Sequence, residues 1–315
     1  MIDFRYHIVS LVSVFLALAV GIVLGAGPLQ TPIGNTLTGQ VDSLRQDRDT
    51  MRKQLDSAHI DIKNRNNYIT SLTDDILPGT LSDVKVAVVA LPYSSKEDVD
   101  LAVANLTKAG ASISGQVKIV DEWSKVKQRP FRTSLSSQIT QYIKDKPGTD
   151  VNVDTIFGKA LSQILSSDNE NNSLLSNLLT DSSHPMIEVT KDISSPADSI
   201  VVVGAKNFDY QKNVLDKKIS ISNQDHESLM AFEYDLSKVL VQAGKGGTII
   251  SDAVDNTDFL TTLRSKEKLS TVDSVGTIIG SSSLPLALSN SIKGVKGHYG
   301  VGEAADAVLP PKPKK

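Results

Sequence analysis

The sequence predicts an α/β protein that opens with a transmembrane helix, continues as a long coiled-coil helix and ends in a mostly parallel sheet with helices on both faces. Three observations predict it: an uncharged apolar run near the N-terminus, a heptad pattern after it, and short β-branched runs alternating with amphipathic stretches. The first is IVSLVSVFLALAVGIVLGA, Ile8 to Ala26, 19 residues without a charge. At about 1.5 Å per residue such a helix nearly crosses a hydrocarbon layer of roughly 30 Å. The rival, a cleaved signal peptide, has an apolar region of only about 7–15 residues before a small-residue cleavage site. Gly25-Ala26-Gly27 is small, but Pro28 follows at once, and the length favours a retained anchor. Arg5 precedes the run and no Lys or Arg follows it before Arg45. This bias favours a cytoplasmic N-terminus, with the rest on the periplasmic or cell-wall side of a bacterial membrane. Ser13, Ala17, Gly21 and Gly25 recur every fourth residue and share one helix face, where small side chains let a second helix approach. Gly and Ala are also common in membrane helices that pair with nothing.

After a Pro/Gly/Thr-containing segment, Val41, Leu55, Ile62, Ile69 and Ile76 fall at heptad a positions, and Leu44, Met51, Ala58 and Leu72 at d. Arg48 and Arg65 interrupt this seam, where a charge is tolerated only if it is paired or snorkels out. They either fix register or mark a loose stretch of coil. Pro78-Gly79 ends the pattern. A polar helix this long needs a partner for its apolar stripe, so a homodimer through coil and membrane helix is expected.

Beyond it the period changes. The run KVAVVAL, ending at Leu91, suits a strand buried on both faces, and Asp98 to Lys108 an amphipathic helix. Val117 to Val120 reads as a second strand, Asp154 to Leu165 as a helix, and Ser166 to Ser183, rich in Asn and Ser, as an exposed excursion. Ser199 to Val203 and Thr248 to Ser251 read as strands flanking a helix from Asp225 to Ala243, with a further helix within Val275 to Leu288. The chain thus parses into residues 1–27, cytoplasmic tail and membrane helix; 28–79, linker and stalk; 80–305, extracytoplasmic α/β domain; and 306–315, a disordered Pro/Lys tail.

The formal net charge of -3 comes without a basic stripe, which argues against nucleic acid as a partner. The absence of cysteine removes disulfides, thiolate metal sites and a Cys nucleophile. Gly-x-Ser-x-Gly, the Walker A loop, His-Glu-x-x-His and Gly-x-Gly-x-x-Gly do not occur, so no catalytic residue is assigned and the chain is not expected to be an enzyme. Gly244-Lys245-Gly246-Gly247 precedes a strand and reads as a helix stop. In open α/β sheets ligands bind beyond the carboxyl ends of strands, which directs attention to Pro92–Ser95, Gly204–Asn207, and Asp252 with Asp255 and Asp258. That acidic trio suits a hard cation, although Asp255 or Asn256 equally suits the cap of a following helix. No cofactor is expected. For copper the candidate ligands are the pairs His226 with Met230, four apart on a helix, and His184 with Met186, flanking Pro185.

The opening MIDFRYHIVSLVSVFLALAVGIVLGAGPL, the coil, the VAVVALP strand and the ending GHYGVGEAADAVLP resemble the actinobacterial family named for mycobacterial copper transport protein B. The resemblance covers nearly the whole chain. It implies a cell-envelope protein of copper homeostasis, channel-like and in the outer membrane in the mycobacterial case. Corynebacterial relatives imply instead a coiled-coil membrane protein acting in cell separation, beside a membrane partner with a thiamine-pyrophosphokinase-like domain and the cell-wall remodelling machinery. A channel needs a helix bundle or a closed barrel of alternating strands, and the sequence offers neither pattern. The expectation is therefore a non-catalytic, single-pass envelope scaffold or regulator, with a copper efflux component as the alternative.

Overall fold

Val86–Ala90 and Ser199–Val203 are buried at every position, so each strand needs apolar cover on both faces. The computed structural model supplies it. It describes residues 4–26, 30–146, 148, 151–181, 183–207, 211, 214–216, 221–254 and 258–312, without the side chains of 26 and 30–37. Contacts divide the chain into one unit at residues 1–67 and another at 68–315.

In the first unit α1 runs Phe4–Ala26, and α2 begins at Gln30 and ends at Ile76 within the second unit. Of the described helices, α1 is the one long and apolar enough to cross a membrane, over Phe4–Gly25. On α2, Val41, Leu44, Met51, Leu55, Ile62, Leu72 and Ile76 are exposed and Ile69 is half-buried. Arg48 pairs with Asp49 at 2.7 Å and leaves the seam sideways.

The second unit follows as β1 Lys85–Ala90, α3 Lys96–Lys108, β2 Ser112–Ile119, α4 Arg129–Tyr142, α5 Val153–Ser166, α6 Asn172–Leu179, β3 Ile187–Lys191, β4 Ser199–Val203, α7 Asn223–Gln242, β5 Gly247–Ile250, α8 Phe259–Lys266, β6 Thr271–Val272, α9 Ile278–Ile292 and β7 His298–Tyr299. Among the described residues the sheet order is β3-β2-β1-β4-β5-β6-β7. All pairings are parallel except β2 with the edge strand β3. Alternate residues feed two cores. Ala87, Val89, Ile200 and Val202 meet α4 to α8 on one face. Val86, Val88, Val201 and Val203 meet α3, α9 and Leu77 on the other.

Several elements differ from the sequence expectation. The Ser166–Ser183 stretch is not simply an exposed excursion: α6 lies inside it, with Leu175 and Leu179 in the core. Two leucines one helical turn apart suffice there, and the Asn/Ser composition masks them. The second strand starts five residues earlier than Val117, since Ser112 and Ile113 already pair with Lys85 and Val86 of β1. The Pro/Lys tail is tied down as far as Pro311, whose carbonyl accepts from Asn290 at 2.7 Å, and residues 313–315 lie outside the described residues. Lys245 pairs with Asp198 at 2.9 Å beside the left-handed Gly244, as a helix stop requires.

The GHYGVGEAAD segment wraps a buried ion pair. Arg264 donates to Asp273 at 3.0 Å and to the Glu303 and Tyr299 carbonyls, and Asp273 also accepts the Val301 and Gly302 N–H groups at 2.9 Å. Neither side chain is more than 1% exposed. Asp273→Ala leaves Arg264 buried without its counter-charge, and the expected loss is about 3–5 kcal/mol of unfolding free energy. Urea unfolding of the detergent-solubilised chain, followed through its single tryptophan, Trp123, measures it.

Candidate functional site

After β1 the chain turns to α3 on one face of the sheet, and after β4, the neighbour of β1, it turns to α7 on the other. The two connections diverge and leave a crevice at the carboxyl ends of the strands, the usual ligand position in open α/β sheets. A cavity of about 430 Å³ occupies it.

Three walls are fixed by local chemistry. The strand ends give the first. Tyr93 holds a left-handed φ of 62°, stabilised by its N–H donating to Asp121 at 3.2 Å. Gly204 lacks the Cβ that would overlap Ser251, so β4 and β5 end side by side. The loops give the second. The Asn207 N–H donates to Asp252 at 2.9 Å, its amide donates to Asp258 at 3.2 Å, and the Val254 N–H donates to Asp258 at 2.7 Å. The third wall is α7, which presents His226, Leu229, Met230 and Glu233 at helical spacing on one face. Ser222 caps this helix, Asp225 accepts from Val126 N–H at 2.9 Å and Ser228 donates to the Ser124 carbonyl at 2.7 Å, so its start is pinned.

The cavity is acidic. Burial holds the Glu233 carboxyl well above the usual carboxylate range, and the charges of Asp258 and Asp121 push it further. Burial also pushes Asp252 up to about 6, against the Asn207 N–H and Lys206, which favour its charged form. No Lys or Arg lines the cavity among the described residues. Nor do three His, Asp or Glu side chains converge there as a metal site would need.

Of the residues singled out from sequence, the structure brings Tyr93, Ala205, Asn207, His226, Met230, Asp252 and Asp258 to this one cavity. Asp258 stands at the cap position of α8, but its carboxylate bonds Asn207 and Val254 instead of the helix start. Asp255 and Asn256 lie outside the described residues. His184 stacks on Phe131 with ring centroids 4.7 Å apart, while Met186 is 4% exposed in the core, so that pair points two ways. Ser13, Ala17, Gly21 and Gly25 lie along α1, with Ser13 bonded to the Val9 carbonyl at 2.8 Å. Sequence reasoning missed Glu233. The signal was present: it stands four residues after Leu229 and three before Leu236, on the apolar face of its helix.

A family model described as "Copper transport outer membrane protein, MctB" matches residues 1–310. The chain belongs to the MctB family. Copper transporter MctB of Mycobacterium tuberculosis (strain ATCC 25618 / H37Rv) is 27% identical over 147 residues, 44% of this chain and 45% of the relative. Copper transporter MctB of Mycobacterium leprae (strain TN) is 28% identical over 134 residues, 39% of each. The alignments thus span less than half the length of these MctB relatives.

The electrostatics of the cavity give a prediction. With a folded pKa of about 6 against an ordinary value near 3.8, Asp252 binds its proton more tightly in the folded state. Its ionisation opposes folding, and the cost grows as pH rises from about 4 to 6. Asp252→Asn, which still accepts from Asn207, is expected to unfold a few degrees above the parent at pH 7.5 and level with it near pH 4. Thermal unfolding across that range decides it.

Proposed function

We propose that this MctB-family chain is a membrane-anchored, non-catalytic envelope protein whose coiled-coil stalk and α/β domain hold partners together during cell-wall remodelling and cell separation. The exposed apolar stripe along α2 carries the reading, because a 47-residue polar helix is stable only when that stripe is covered. A second copy supplies matching cover, with Ser13, Ala17, Gly21 and Gly25 giving close approach within the membrane. Arg5, in the first turn of α1 and ahead of the uncharged run from Ile8, favours a cytoplasmic N-terminus and an extracytoplasmic domain. A membrane protein with a thiamine-pyrophosphokinase-like domain is the partner that the family resemblance suggests.

Copper homeostasis is the second reading. It rests on the names of the MctB relatives and on His226 and Met230 lining one cavity, an imidazole and a thioether being copper-type ligands.

The cysteine-free chain allows a direct test. Leu55→Cys and Ile62→Cys, at seam positions, are expected to form disulfide-linked dimers in native membranes, while Asp56→Cys, off the seam, does not. Equal cross-linking at all three, or none at the seam, overturns the scaffold dimer. Calorimetric titration of the full chain with Cu(I) and Cu(II) tests the second reading. Stoichiometric binding lost in His226→Ala and Met230→Ala would establish it, and the scaffold reading expects no such binding.

A further inference from the structure

The carboxyl group of Glu233 is the least explained feature of the cavity. Its residue is 3% exposed, it lines the cavity wall, and no ion pair or hydrogen bond reaches it from the described residues. The other two acids, Asp252 and Asp258, are bridged by Asn207, and Asp252 also feels the positive charge of Lys206. A buried carboxyl without a partner is costly, and folded proteins keep such groups where a ligand completes them.

We propose that the cavity at the switch point binds a small primary amine with an apolar body, its ammonium group held by Glu233. The cavity size falls within the range of small-molecule sites. Leu229, Met230 and Phe259 offer an apolar wall for the body, and the acids around them make the interior hostile to phosphate or carboxylate. An ammonium group brings three donors into a site rich in acceptors, so its desolvation is compensated. A bare divalent cation would need three convergent ligands, and the described residues supply no such set. This inference goes beyond the scaffold reading and does not depend on it; it gives the domain a ligand to which partner binding could be coupled.

The test uses the full chain in lipid nanodiscs, with empty nanodiscs as reference, titrated calorimetrically with benzylamine, benzyl alcohol and benzoate. Benzylamine is expected to bind saturably at millimolar or lower concentration, with the alcohol and the carboxylate weaker by about tenfold or more. Glu233→Gln, nearly isosteric, is expected to weaken benzylamine by about tenfold while unfolding at a higher temperature than the parent without ligand. A merely structural glutamate would show the opposite stability change. Met230→Trp, which fills the cavity and leaves the acid in place, should abolish binding and serves if Glu233→Gln misfolds. No heat from benzylamine, benzoate or alcohol binding as well as the amine, or full affinity in either variant overturns the proposal.

Discussion

The burial of β1 after Lys85, and of all of β4, on both faces is the constraint from which the rest of the α/β unit follows. Beyond Lys85, every side chain of these two adjacent parallel strands is buried and nearly all are Val, Ala or Ile, so both faces must be roofed by helices. Parallel neighbours also require long crossovers, and right-handed crossovers that leave neighbouring strands in opposite directions land on opposite faces. α3 takes one face and α7 the other. The crevice between their entry points is thus a consequence of burying the strands. Evolution had only to line it, and in this chain it is lined with acids.

What could be read from the sequence follows from how each element is stabilised. β1, β4, α3, α5, α7 and α9 carry their own pattern, because their burial is set by local periodicity. β6 and β7 are two residues each, paired at the end of the sheet and tied to it by Arg264, which bonds Asp273 and the Tyr299 carbonyl. No window of two residues carries a period. α4 has its apolar face diluted by Ser and Thr, and it is held partly by Arg132, buried against the Trp123 carbonyl and ring. Seven of the cavity residues were legible, because the strand-end rule located Tyr93, Ala205, Asn207, Asp252 and Asp258 and helical spacing located His226 and Met230. Their convergence was not, since it depends on which strands are neighbours.

The ending that carries much of the family resemblance has a structural explanation. Gly300 sits at φ 129°, where a side chain would overlap Asp273, and the following N–H groups of Val301 and Gly302 close on that carboxylate. Such a concave pair of amides elsewhere recognises an external anion. Here it is filled by the protein's own aspartate, itself held by Arg264. The motif therefore seals the far edge of the sheet and says little about ligands. This ending thus serves the fold's stability, while the chemistry of the cavity lies in α7 and the loops after β4 and β5.

Asp273 and Glu233 show two ways in which this domain buries a carboxylate. Asp273 receives an arginine and three further donors, Ser274, Val301 and Gly302, and ends fully satisfied. Glu233 is almost as deeply placed, yet it faces open volume and two other acids, which raise its energy when charged. A fold that can neutralise one buried acid so completely had the means to replace or pair the other. Leucine in its place would extend the apolar face of α7 and remove the repulsion from Asp258, a stabilising change on both counts. Stability alone therefore does not account for a carboxyl at position 233, whereas a positively charged guest beside it does: it would offset the repulsion that Glu233 meets from Asp258 and Asp121.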